Sequence, residues 1–337
     1  MDNVEFDDHI GGSAMSVYRA LRRRILTPDM KATRLDVRGF HVKDEASRDM
    51  LETVGRSFLT GYAYAAEARR PLDAEQPLEE LPTRYKGFAY EGAGMGFAIR
   101  DGLPIGGGKL VEDFLDGRAD DHVYMIYVGV GWAMARLPRF RWKTLYAADP
   151  LLKWLILDGY GFHQAYFQTE KYVYDQYVEE NFPWPGGEHN WYANRVIDQG
   201  IGRACWFVGG TEAEVAAGLI DRFPVERRAD MYAGMGLAAT YAGGADPKEL
   251  EELWQHAADY RRELAQGAAF AAGARERAGL TVPHNEVATK IFCDMSPQEA
   301  QLVTIEALID LPMDGDIPIY EVWRRRIADR FVANGHC

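Results

Sequence analysis

The chain has 337 residues, 47% of them hydrophobic, and its 51 acidic against 38 basic side chains give a formal charge of -13. That hydrophobic share is enough for an extended buried core, and the negative balance repels nucleic-acid phosphates, so nucleic acid is not an expected partner. Cys205, Cys293 and Cys337 lie too far apart for a Cys-x-x-Cys pair or a short disulfide framework, which fits a reducing cytoplasm.

Residues 1–50 read as an N-terminal cap segment. Asp2, Glu5, Asp7 and Asp8 stand where a secretory leader carries positive charge, and no run approaches the roughly eighteen apolar residues of a membrane span. A basic amphipathic stretch follows around Arg19, Arg22, Arg23 and Arg24, and then Leu35, Val37, Phe40 and Val42 alternate, predicting one strand or an extended cap.

From residue 51 to 280 one pattern recurs: a glycine, a small residue two places on, a large residue next, and then alanine. The first glycines are Gly61, Gly94, Gly129, Gly159, Gly200, Gly234 and Gly267, spaced 33, 35, 30, 41, 34 and 33 residues apart. Residues four apart share one helix face, and small ones there let a neighbouring helix approach closely. The period predicts an all-α, tetratricopeptide-like solenoid of about seven repeats with two helices per unit. Helix starts are expected at Thr211, with Glu214 completing a capping box, and at Asp246-Pro247 with Glu249.

Phosphate-binding readings of Gly92, Gly94 and Gly96, or of Gly106 to Lys109, fail on sequence grounds. Lys109 precedes Leu110 rather than Ser or Thr, and no convincing β-branched strand leads into either segment. Between copies four and five, residues 168–192 form an aromatic insert, read either as packed core or as a lid over an apolar ligand. Residues 281–337 read as a C-terminal helical cap, with helices near Gln298 to Ile309 and Tyr320 to Phe331.

Two residues break the repeat. His163 replaces alanine, and Arg203 replaces an aromatic residue or leucine. Asp158 lies one turn from Phe162, which occupies the place of Arg203, so stacked helices would bring Asp158 against Arg203 as a buried ion pair or as an anion or carbonyl anchor. His163 is either a hydrogen-bonded core residue or a proton shuttle. These three are the candidate catalytic residues. Tyr160, Tyr166, Trp191, Tyr192, His189 and Asp198 are the candidate substrate-binding residues. No sequence feature supplies a metal site or a redox cofactor.

The stretches Arg38-Gly39-Phe40, Asp175-Gln176-Tyr177 through Phe182-Pro183-Trp184-Pro185, Asp198-Gln199-Gly200-Ile201-Gly202-Arg203 and Thr240-Tyr241-Ala242-Gly243-Gly244 resemble a bacterial domain-of-unknown-function family encoded with enediyne polyketide synthases. The resemblance implies an accessory role in enediyne biosynthesis, binding or processing a hydrophobic polyene or enediyne precursor during core formation. It implies no catalytic residues. The competing expectation is a non-catalytic helical scaffold docking pathway enzymes or a membrane partner.

Overall fold

Seven helices carry the repeated motif: α1 (Glu45–Glu67), α2 (Thr83–Gly102), α3 (Val123–Arg136), α4 (Leu155–Phe167), α5 (Ala193–Val208), α6 (Val225–Ala242) and α7 (Arg261–Arg277). Three more close the chain: α8 (Pro283–Cys293), α9 (Pro297–Glu306) and α10 (Ile319–Ala333). The computed structural model describes residues 9–104, 108–187, 189–312 and 315–337, and its regular structure is entirely helical. Gly106 and Gly107 lie outside the described residues, whereas Gly92, Gly94 and Gly96 are buried within α2 and form no loop.

The motif helices run in the same direction. Gly92 packs on the Phe58 carbonyl, Gly96 on Tyr62, and Gly102 on Leu137, while Arg100 donates to the Ala65 carbonyl at 2.7 Å. The offsets are 92-58=34, 96-62=34, 137-102=35 and 100-65=35, and a constant difference requires parallel neighbours. Parallel helices need a return connection, and here the returns are mostly short, such as Glu75–Glu79, Leu110–Leu115 and Ala213–Ile220. The expected second full helix of each repeat is therefore reduced to a few turns.

Glycine placement explains the close stacking. A Cβ added at Gly129, Gly159, Gly200, Gly234 or Gly267 would fall 1.8–2.2 Å from a carbonyl oxygen of the preceding helix. One added at Gly131, Gly161, Gly202 or Gly236 would fall 2.0–2.2 Å from a carbonyl oxygen of the following helix. Residues two apart point about 200° away from each other on an α-helix. Each helix is thus pressed backbone to backbone on both flanks. In α2 this role falls to Gly92 and Gly94, which meet Phe58 and Ile126, and in α1 Gly61 meets the following helix. The structural register of the first two copies therefore sits two residues before the one the sequence motif suggests.

In this register one stripe of each helix, at the places one before and three and seven after its first small residue, turns inward. The array closes on itself: Phe88 of α2 meets Tyr241 of α6 edge-on at 5.1 Å, and Arg275 of α7 donates to the carbonyls of Arg84 and Tyr241 at 3.0 and 2.7 Å. An open solenoid contacts only nearest neighbours. Here the near end of the array touches the far end around a shared interior.

Local capping follows the sequence in part. Asp246 and Glu249 exchange backbone hydrogen bonds at 2.9 and 2.8 Å, and Glu249 also takes Lys43 Nζ. Thr211 does not cap: it is buried at φ 65° with its hydroxyl on the Gly244 carbonyl, and Glu212 stands at the N-cap instead. Residues 35–38 form one helical turn ended by Gly39 at φ 69°, so the predicted strand is absent, because the apolar positions Leu35 and Phe40 are satisfied by packing on the helical core.

Candidate functional site

The interior contains two apolar cavities that share Arg203, Leu237 and Tyr241. The larger, about 60 Å³, is walled by α1 to α6 and includes Phe58, Glu91, Trp132, Phe162 and His163. The smaller, about 40 Å³, lies between α3 to α7, α9 and α10, and includes Val128, Asp158, Phe270 and Trp323. Each exceeds the roughly 10–15 Å³ that one water needs. Arg203 separates them and touches both.

Arg203 Nη1 bonds to Asp158 Oδ1, and Gln199 Nε2 donates to Asp158 Oδ2 at 2.8 Å, so both carboxylate oxygens are engaged. Gln199 also donates to the Tyr320 hydroxyl at 3.1 Å. Arg203 uses only Nη1; its Nε–H is buried without a partner, and its guanidinium lies over the Phe162 ring at 5.0 Å. Burial works against the Arg203 charge, but Asp158 and Glu91 together hold its pKa above the ordinary value.

Glu91 is the residue that the reading of the sequence missed. It is 3% exposed, lines the larger cavity and has no ion pair among the described residues. Burial raises its carboxyl to about 7, with Asp158 pushing the same way and Arg203 pulling it down. The indole N–H of Trp132 faces this carboxyl and has no other partner. In the structural register Glu91, Asp158, Gln199 and Gln266 hold the same place on successive inner stripes, where Phe58, Val128 and Ala233 stand in the other copies. The signal was present in the sequence, since an acid occupies a stripe of apolar residues, but the misplaced register of α2 concealed its equivalence to Asp158.

His163 is 5% exposed, against Trp132 and Phe167, with Nδ1 3.3 Å from Gln164 Oε1. Desolvation lowers its pKa to about 4, so near neutral pH it is an uncharged imidazole. Tyr166 completes this wall.

The remaining candidates lie elsewhere. Tyr160 accepts from Gln164 on the outer side of α4, beside a minor cleft that also holds Asp198. Asp198 forms a two-pronged pair with Arg227 at 3.0 and 2.6 Å. Tyr192 donates to Glu321 at 2.7 Å within a buried network with Arg324 and Asp230, which anchors α10. Trp191 is exposed, and His189 packs edge-on to it at φ 67°.

The aromatic insert does not cover the cavities. Phe182 stacks on Trp142 and meets Tyr160 edge-on, and Trp184 lies near Trp154, so its rings pack on the flank of α4. The cover of the larger cavity is the N-terminal segment, through Pro28, Ala32 and Thr33, with Phe40 against Tyr166 at 4.9 Å and Arg38 over Phe167 at 5.2 Å. Among the described residues no cluster of three or more His, Cys, Asp or Glu is placed to hold a metal, and no helix is long and apolar enough to cross a membrane.

Fold and interior together define an all-α protein whose parallel helices enclose an apolar space crossed by one acid–arginine station. The chain belongs to the family described as protein of unknown function (DUF1702), which it matches over residues 17–331. No curated protein and no solved structure matches it.

Proposed function

We propose that this protein binds and processes a hydrophobic polyene-derived intermediate during formation of an enediyne core, as an accessory protein of enediyne polyketide biosynthesis. The observation that supports binding is the pair of internal apolar cavities meeting at Arg203, with His163, Glu91 and Tyr166 in the wall of one of them. A docking scaffold has no need of an apolar interior interrupted by a charge, because burying a charge is costly unless it is matched. The pathway is supported by the resemblance of the Asp198 to Arg203 and Thr240 to Gly244 strings.

The two cavities as they stand hold a few atoms each, so admission of a chain requires Leu237 and Tyr241 to part and the Pro28–Thr33 cover to lift. We place this work in the cytoplasm, a reading supported by the free thiols of Cys205, Cys293 and Cys337. The experiment is incubation of the purified protein with the linear polyene products of a matching polyketide synthase, following absorbance and mass. A shifted absorbance establishes binding, and a new mass or isomer establishes processing. Absence of both transfers the role to a scaffold for pathway enzymes.

A further inference from the structure

Glu91 and Arg203 stand against the same cavity, and neither is consumed by the fold. Glu91 has no ion pair, and Arg203 gives Nη1 to Asp158 while its Nη2 has no acceptor. Arg275, a structural arginine buried among helices, also leaves its Nε unpartnered but spends both Nη atoms on carbonyls, among them those of Arg84 and Tyr241. A structural carboxylate normally takes a cation, as Asp198 takes Arg227. The two groups left over face an apolar space walled by Phe58, Trp132 and Phe162.

We propose that Glu91 moves a proton between carbons of a conjugated polyene bearing a carbonyl group, while the free N–H of Arg203 holds that carbonyl oxygen. The inference rests on the polyene-binding reading above and assigns it a reaction class, double-bond isomerisation through a dienol(ate). The Glu91 carboxylate removes a proton from a carbon conjugated through the chain to the carbonyl. That C–H bond breaks, its electron pair moves through the π system, and negative charge gathers on the oxygen held by Arg203. Glu91, whose acid proton exchanges with solvent while the dienol(ate) is held, then delivers a proton to a different carbon, a new C–H bond forms, and the double bonds are relocated. Nothing is oxidised or reduced, and the carboxylate is regenerated.

The geometry suits each part. A preorganised donor aimed at a developing oxyanion in a water-poor site stabilises it far more than water does. Asp158, held by Gln199, keeps Arg203 charged and in place without occupying its Nη2. A group that must accept and then give back a proton works best when both of its forms are populated near the working pH. The charged or titratable groups that face Glu91 are Arg203 from α5, Asp158 from α4 and Tyr241 from α6. α1 contributes only apolar side chains to the wall, among them Leu51, Val54 and Phe58.

The test is incubation in deuterated buffer with the polyene products of a matching synthase and with a synthetic all-trans polyenone, reading deuterium uptake by mass and binding by absorbance. The wild type is expected to bind and to introduce deuterium at carbon. Glu91→Gln is expected to bind equally well and to lose roughly a hundredfold or more in exchange. Glu91→Asp, which retains the acid at shorter reach, should retain measurable exchange, and Arg203→Lys, which keeps a cation for Asp158 but no second guanidinium donor, should exchange slowly. Circular dichroism and melting establish that each variant is folded. Binding without deuterium uptake in the wild type, or undiminished exchange in Glu91→Gln, overturns the proton-transfer role and leaves the binding role standing. Failure of the wild type to bind either probe overturns both.

Discussion

At the scale of single residues the interior is decided by one ion pair and one acid without a counter-ion. Glu91 has an ordinary value of 4.5 and stands at about 7 in the fold. A carboxyl raised in this way adds no penalty below the unfolded value, and stability is lost as pH rises from there through the folded value, by about 3 kcal/mol for this shift. Urea unfolding at pH 5 and pH 8 should show the wild type losing about 2–3 kcal/mol more than Glu91→Gln. The comparison with the variant is needed because Asp198, raised to about 6, titrates in the same window, and the lowered histidines 122, 163 and 284 act in the opposite sense. Arg203→Leu leaves Asp158 buried with Gln199 alone and should cost about 3–5 kcal/mol in the same assay, whereas Asp158→Leu with Arg203→Leu should recover much of it. An additive double variant would show that the pair does not act as a unit. The Asp158–Arg203 contact was legible in the sequence because Arg203 breaks the large-residue place that Phe162 holds in the copy before, and Asp158 lies one turn from Phe162. Glu91 was not, because its violation becomes visible only when α2 is aligned by backbone contact rather than by its glycine string. The position of Tyr192 and Asp198 away from the two cavities was hidden for a similar reason: both are as buried and polar as a site demands, but their partners Arg324 and Arg227 are remote in sequence.

At the scale of the helix, spacing alone revealed where the array repeats but not how its units pack. The period identified the seven core helices. It did not reveal that the first and third motif places face opposite neighbours, or that the connecting helices are shorter than the core helices they join. Gly234→Ala would put a methyl group 1.9 Å from the Gln199 carbonyl oxygen and should cost about 3 kcal/mol or more, measured by chemical denaturation. Gly218, in the Ala213–Ile220 helix, has nothing within 4 Å of its added Cβ, so Gly218→Ala should stabilise by about 0.5–1 kcal/mol. Equal effects of the two substitutions would show that close backbone approach is not what the motif secures.

For the whole molecule the decisive feature is lateral closure. The segment leading into α1 is tied to the far side of the array: His41 N–H donates to the Val208 carbonyl at 2.9 Å, and Lys43 Nζ reaches Gly244 and Glu249 at 2.8–2.9 Å. Lys43→Ala should therefore raise hydrogen exchange in the ends of α1 and α6 together, whereas an array held only by neighbours would loosen at α1 alone. The glycine contacts carry a separate consequence. They involve backbone atoms on the flanks of each helix, while the inward stripe is made of side chains that no flank contact fixes. Mutations of the stripe and of the flanks are therefore uncoupled in their effects. Descendants of one ancestral chain can exchange the lining of the chamber residue by residue without redrawing the staves that enclose it.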